Sequence, residues 1–169
     1  MMKLLGAVMV LLGCGGVGFS MVAVCRYQEQ ALLQLIRALE YMECELQYRM
    51  TPLPELCDGA SQMCTGCVGN VLHRLSLELK AQLAPNAAAC MYAALAEYAN
   101  LPERLHKCMV QLGDSLGRFD LAGQLQGLGA VKSCAVFELE QLRQNQDVRL
   151  RSYQTLGLCA GAALVVLFL

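Results

Sequence analysis

Leu32, Leu35, Leu39, Met42 and Leu46 recur at intervals of three and four residues, the spacing that lines one face of an α-helix. Arg37, Glu40, Glu43 and Glu45 fall largely off that stripe, so the pattern predicts an amphipathic helix with one buried side. It stops at Met50-Thr51-Pro52-Leu53-Pro54-Glu55. Thr51 is expected to cap the next helix, with both prolines in its first turn, where backbone N–H groups need no helical partner. That helix is predicted to reach Met63 and to end in a turn over Gly66–Asn70. Leu72, Leu75, Leu79 and Leu83 mark another helix closed by Pro85, and the alanine-rich stretch from Asn86 to Ala99 marks one more. After the break at Asn100-Leu101-Pro102-Glu103, Leu105, Met109 and Leu112 continue helically to a turn over residues 112–117. The last helix is predicted to start near Asp120, whose carboxylate suits a helix N-terminus. Its stripe is Leu121, Leu125, Leu128, Val131, Ala135, Leu139 and Leu142. No period-two alternation occurs, so the fold class read from the pattern is an all-α helical bundle.

Two stretches break this amphipathic pattern. Leu4 to Cys25 carries no charge and is bounded by Lys3 and Arg26. At about 1.5 Å per residue it reaches about 33 Å, enough for a hydrocarbon core. Tyr153 to Leu169 is a second uncharged run, reaching about 25 Å. The expected organisation is therefore a transmembrane helix over 4–25, a helical bundle domain over 26–152 and a transmembrane helix over 153–169. The apolar run over 4–25 outlasts the apolar stretch of a cleaved secretory signal. Leu11-Leu12-Gly13-Cys14 resembles a lipoprotein processing box, but Leu12 replaces the usual small residue and more apolar helix follows Cys14. Gly157 and Gly161 have the small-xxx-small spacing that lets membrane helices approach closely, and Gly13, Gly15, Gly16 and Gly18 offer a matching surface. No breaker separates Leu142 from Tyr153, so the last amphipathic helix is expected to run on into the second span. Arg143, Arg149 and Arg151 precede that span with nothing basic after it, which predicts a domain facing the cytoplasm.

Composition agrees. Of 169 residues, 56% are hydrophobic and only 16% charged, against about 25% charged in soluble domains. The net charge of −1 leaves no basic surplus for a nucleic-acid backbone. The ten cysteines lie inside helical runs or the apolar ends, where a reduced thiol stands in for a small apolar side chain. Cys64 and Cys67 have CxxC spacing, with Cys57 and His73 nearby. A structural zinc site needs four ligands, commonly two such pairs or one pair with spaced histidines. His73 is the candidate fourth ligand, but there is no second pair, and a thioredoxin-like motif would need a βαβ setting that is absent. A metal- or redox-responsive membrane sensor built on Cys57, Cys64 and Cys67 is the alternative reading of this cluster. His73 and His106 otherwise read as isolated and solvated, and Met42 and Met50 as core.

No phosphate loop, GxSxG, HExxH or DxD motif appears, so no enzyme activity, metal or cofactor is expected. The Glu40–Glu45 charge run, with only Arg37 and Arg49 at helical reach, is either a solvated face or a docking face.

The opening Met2-Lys3-Leu4-Leu5-Gly6-Ala7, the Thr51-Pro52-Leu53-Pro54 break, Leu112-Gly113-x-Ser115 followed by Asp120 and Gln124, and the closing Leu156-Gly157-x-x-Ala160-Gly161 together resemble the stage III sporulation protein AB family of endospore-forming bacteria. The resemblance covers the whole length, and the dense cysteines depart from it. It implies a helical domain similar to the cytoplasmic F domain of type II secretion and type IV pilus platforms. It also implies a place in a channel complex between mother cell and forespore, made in the mother cell and needed for late forespore development. A sporulation-specific secretion-type ATPase and other membrane subunits would be the partners, with membrane lipid around the spans, no nucleic acid, and self-association into a homo-oligomer compatible. On that reading Glu40, Glu43, Thr51, Pro52, Leu53, Pro54 and Glu55 are the partner-binding candidates, and Gly157 and Gly161 pack helices in the membrane.

Overall fold

In the computed structural model the backbone is described for residues 2–82, 84–98, 100–117 and 120–168, and side chains for those of them between 24 and 145. Six α-helices form and no strand occurs among the described residues: α1 (Met2–Arg49), α2 (Leu53–Met63), α3 (Cys67–Ala81), α4 (Ala87–Ala96), α5 (Glu103–Ser115) and α6 (Leu121–Phe168). Each helix packs on the next in sequence and α6 closes on α1, making a ring of neighbours around one core. The α1 stripe of Leu32, Leu35, Leu39, Met42 and Leu46 is buried throughout, as are Leu105, Met109 and Leu112 of α5. From Leu128 to Leu142 the α6 stripe is buried as its spacing predicts, but Leu121 is exposed and Leu125 only half-buried. Leu121 is the first residue of α6, and Leu125, one turn on, packs against the edge of the core.

Long helices α1 and α6 run antiparallel. Glu29 accepts from Arg143 at 2.6 and 2.8 Å, and Glu43 accepts from Lys132 at 3.2 Å, so numbers rise along one helix as they fall along the other. The helix α5 returns on α6 in the same way, with Arg104 and Lys107 both bonded to Glu138.

Several boundaries differ from the sequence expectation. Thr51 does not cap α2: the N-cap position is Pro52, which has no capping side chain, and the Thr51 hydroxyl instead donates to Glu45 Oε2 at 3.0 Å. Pro54 alone sits inside the first turn, because Leu53 is the first helical residue. The turn after α2 is shorter than Gly66–Asn70. Gly66 takes φ +72° and α3 starts at Cys67, which puts Asn70 inside the helix. That early start is possible because Gly69 lets the helix lie against the chain at Cys64, whose carbonyl oxygen would stand 2.6 Å from any Cβ there. Helix α3 ends ahead of Pro85, with Gln82 in the left-handed conformation as its C-cap. Helix α5 passes through the predicted 112–117 turn as far as Ser115. Asn86 caps α4 by accepting from Ala89 N–H at 2.8 Å, and Asp120 accepts from Gly123 N–H at 3.0 Å at the start of α6.

Among the described residues no helix is long and apolar enough to cross a membrane. The predicted spans over 4–25 and 153–169, with Gly157 and Gly161, lie outside the residues with described side chains apart from Val24 and Cys25.

Candidate functional site

The end of α1, the α1–α2 turn and the start of α6 meet at one end of the bundle. They enclose a cleft of about 250 Å³ lined by Leu46, Met50, Thr51, Leu53, Leu121 and Gln124. Met50 was expected in the core. Instead it is 72% exposed, with neighbouring Tyr48 78% exposed. The reason lies in the backbone: α1 terminates through Met50 at φ +50°, a left-handed turn that throws its side chain off the helix stripe. Pro52 and Glu55 are exposed beside it and Leu53 and Pro54 are half-buried, so the Thr51–Glu55 segment is at the surface and at the cleft's rim. Large apolar side chains left exposed around a polar-edged cleft are the kind of patch that marks an interaction surface.

The acidic face of α1 is less free than its sequence implies. Lys132 of α6 reaches both Glu40 (3.3 Å) and Glu43 (3.2 Å). Burial works against the Lys132 charge, but the hydrogen bonds to Glu43 and Glu40 outweigh it and hold its pKa above the ordinary lysine value. Glu45 is engaged by Arg49 at 3.5 Å and by Thr51. Lys132 was invisible to a reading limited to helical neighbours, since it lies 89 residues away. Glu43 and Glu45 are half-buried, while Glu40 stays exposed.

The cysteine cluster does not assemble. Cys57 is fully buried, where desolvation and then the Asp58 charge push its thiol up to about 12. Cys64 is buried at the end of α2 and its Sγ donates to the Gln34 carbonyl at 3.2 Å. Cys67 shares a cleft with Tyr27, Gln34 and Arg37, and His73 Nδ1 lies 3.3 Å from Asp58 Oδ1 rather than standing isolated. Each group faces a different partner, and among the described residues no group of three or more His, Cys, Asp or Glu is placed to hold a metal ion. Cys57, Cys64, Cys90 and Cys108 are the buried small side chains their helical context predicts, whereas Cys44 is exposed.

One buried polar group was missed by the sequence reading. Glu138 is only 8% exposed and bridges α6 to Lys107 and Arg104 of α5. The Lys107 hydrogen bond, aided by Arg104 and opposed by burial, holds the Glu138 carboxyl below its ordinary range. Its signal was present at i+3 and i−4 from a buried stripe position, but its basic partners are on another helix.

Comparison with known proteins agrees with this architecture. The family model for stage III sporulation protein AB matches residues 3–169. A stage III sporulation protein AB of Bacillus subtilis (strain 168) is 23% identical over 171 residues, covering 100% of both chains. A solved structure of a stage III sporulation protein AB superposes with a TM-score of 0.61 at 20% identity, over 70% of this chain and 94% of that one, which is a likeness of fold. A match along essentially the whole length, on a closed all-helical ring, places the chain in one family: it belongs to the stage III sporulation protein AB family.

Proposed function

We propose that this sporulation protein is a non-enzymatic, membrane-anchored platform subunit that docks a secretion-type ATPase through the exposed end of its bundle. The observation that carries the reading is the pairing of the two long helices. α1 and α6 both have one end at the Met50–Leu53–Leu121 cleft, and both run from there along each other to the Glu29–Arg143 pair. The two uncharged runs of the sequence start beyond that pair, at the opposite end of the bundle from the cleft. A partner seated at the cleft therefore pushes on the same two helices that would enter the bilayer. A packed core transmits such a displacement because it is close to incompressible.

The F-domain likeness, the mother-cell membrane location, the cytoplasmic side and the neighbouring membrane subunits belong to the same proposal. Met50 and Tyr48 supply apolar contact to the ATPase, and Glu55 and Glu40 supply polar rim contacts.

Binding of the detergent-solubilised full-length chain to the sporulation ATPase tests the docking. Tyr48→Ala with Met50→Gly is expected to weaken binding by about tenfold or more. Met50→Gly also relieves a left-handed backbone position, so lost binding does not report lost folding. Undiminished binding by the double variant, or no binding by the unaltered chain, would overturn the docking role.

A further inference from the structure

We propose that Cys108 on α5 and Cys134 on α6 are a reversible dithiol–disulfide pair that locks the α5–α6 hairpin. Their sulfurs face each other across the helix interface at 3.8 Å, within van der Waals contact. The pairing belongs to a consistent antiparallel register. Ser115 lies against Gly127 near the connection, Cys108 meets Cys134 in the middle, and Arg104 and Lys107 meet Glu138 beyond. The absence of a side chain at Gly127, where a Cβ would come 2.7 Å from Ser115 Cβ, keeps the two helices close. A disulfide needs its sulfurs at about 2.05 Å. Side-chain rotation toward that distance brings together two thiols already in contact on adjacent helices.

The two thiols differ in access, which sets the order of a stepwise exchange. Cys134 is partly exposed, so an external disulfide reaches it first, whereas Cys108 is fully buried and its thiol is pushed up to about 12 by desolvation and then by Cys134. The oxidant is a low-molecular-weight disulfide of the glutathione class. The Cys134 thiolate attacks one of its sulfurs, the S–S bond breaks, and one small thiolate leaves. Cys108 then attacks the Cys134 sulfur and passes its proton to the departing small sulfur, so that the second small thiol leaves protonated. The protein loses two electrons and two protons, and one small disulfide becomes two thiols. Reduction by excess small thiol runs the same steps backwards. This pair is separate from the CxxC motif, in which Cys64 donates to the Gln34 carbonyl and Cys67 faces a cleft beside Tyr27.

The test treats the purified full-length chain with oxidised glutathione, blocks remaining thiols with N-ethylmaleimide and maps linked peptides by mass spectrometry. A Cys108–Cys134 linked peptide is expected, with a rise in melting temperature of roughly 5–10 °C that dithiothreitol reverses. Cys134→Ser, at a partly exposed site, should fold with an unchanged helical circular dichroism spectrum and lose both effects. If Cys134 instead ends as a stable glutathione adduct, or links to other cysteines as often as to Cys108, the proposal is overturned. It is equally overturned if Cys134→Ser retains the full oxidative rise in melting temperature.

Discussion

At Gly113 a methyl group would stand 2.5 Å from Met91 Cβ and 2.9 Å from Met91 Cγ, because α5 crosses α4 with no room between them. Met91 is itself fully buried, and its Cβ is fixed by its own backbone, so it has nowhere to withdraw. Gly113→Ala is therefore expected to destabilise the fold by about 1–3 kcal/mol despite alanine's better helix propensity, as read by thermal melting. Gly59 differs. Its nearest neighbour is the hydroxyl end of the Tyr41 ring, which swings aside, so Gly59→Ala should fall well short of the Gly113 effect in the same assay. Glu138 makes a prediction about pH. Its folded pKa lies below that of the unfolded chain, so its contribution is present above the ordinary carboxylate range and is lost as pH falls through the folded value. In Glu138→Gln that acid-side loss should be smaller, and at neutral pH the variant should be less stable by about 1–3 kcal/mol, as urea unfolding at two pH values would show.

Among the elements, helix ends separate real caps from apparent ones. Asn86 accepts a backbone N–H at the start of α4, whereas Thr51 spends its hydroxyl on Glu45 and leaves α2 uncapped. Asn86→Ala should then cost about 1 kcal/mol of stability, and Thr51→Ala less than half of that, in parallel denaturant melts. The α1–α6 pair is held mainly by its apolar stripes, with Lys132 placed between Glu40 and Glu43 at the rim. Reversing that charge in Lys132→Glu would gather three carboxylates. A loss of about 1 kcal/mol at low salt is expected, shrinking as added salt screens the repulsion. A loss indifferent to salt would mean that the lysine acts through packing of its stem.

For the whole molecule, the ring of six helices among the described residues makes its two longest members neighbours, which on the proposed role would couple the exposed end to the opposite end. The proposed cytoplasmic orientation is checked by Cys44, which is exposed on α1. A membrane-impermeant maleimide applied to intact cells should leave Cys44 unlabelled and should label it after permeabilisation. Labelling in intact cells would place the bundle on the other side and remove it from reach of a cytoplasmic ATPase.

The helices and their buried faces were legible in the chain because a period of three to four residues is a local property: Leu32 to Leu46, Leu105 to Leu112 and Leu128 to Leu142 each carry their own record of burial. The break at Met50–Glu55 was equally local, since proline acts on its own backbone. What the tertiary structure alone decided were the relations between residues far apart in the chain. Lys132 neutralises a face on α1, Glu138 is buried through bonds to α5, Cys108 meets Cys134, and Cys57, Cys64 and Cys67 never converge. Met50 read as core and Leu121 as a stripe position, and both turn out to be surface, Met50 through its left-handed turn and Leu121 because α6 begins there. A sequence records which side of a helix avoids water. The side chains that meet across two helices are set by crossing and register, which arise only when the helices pack.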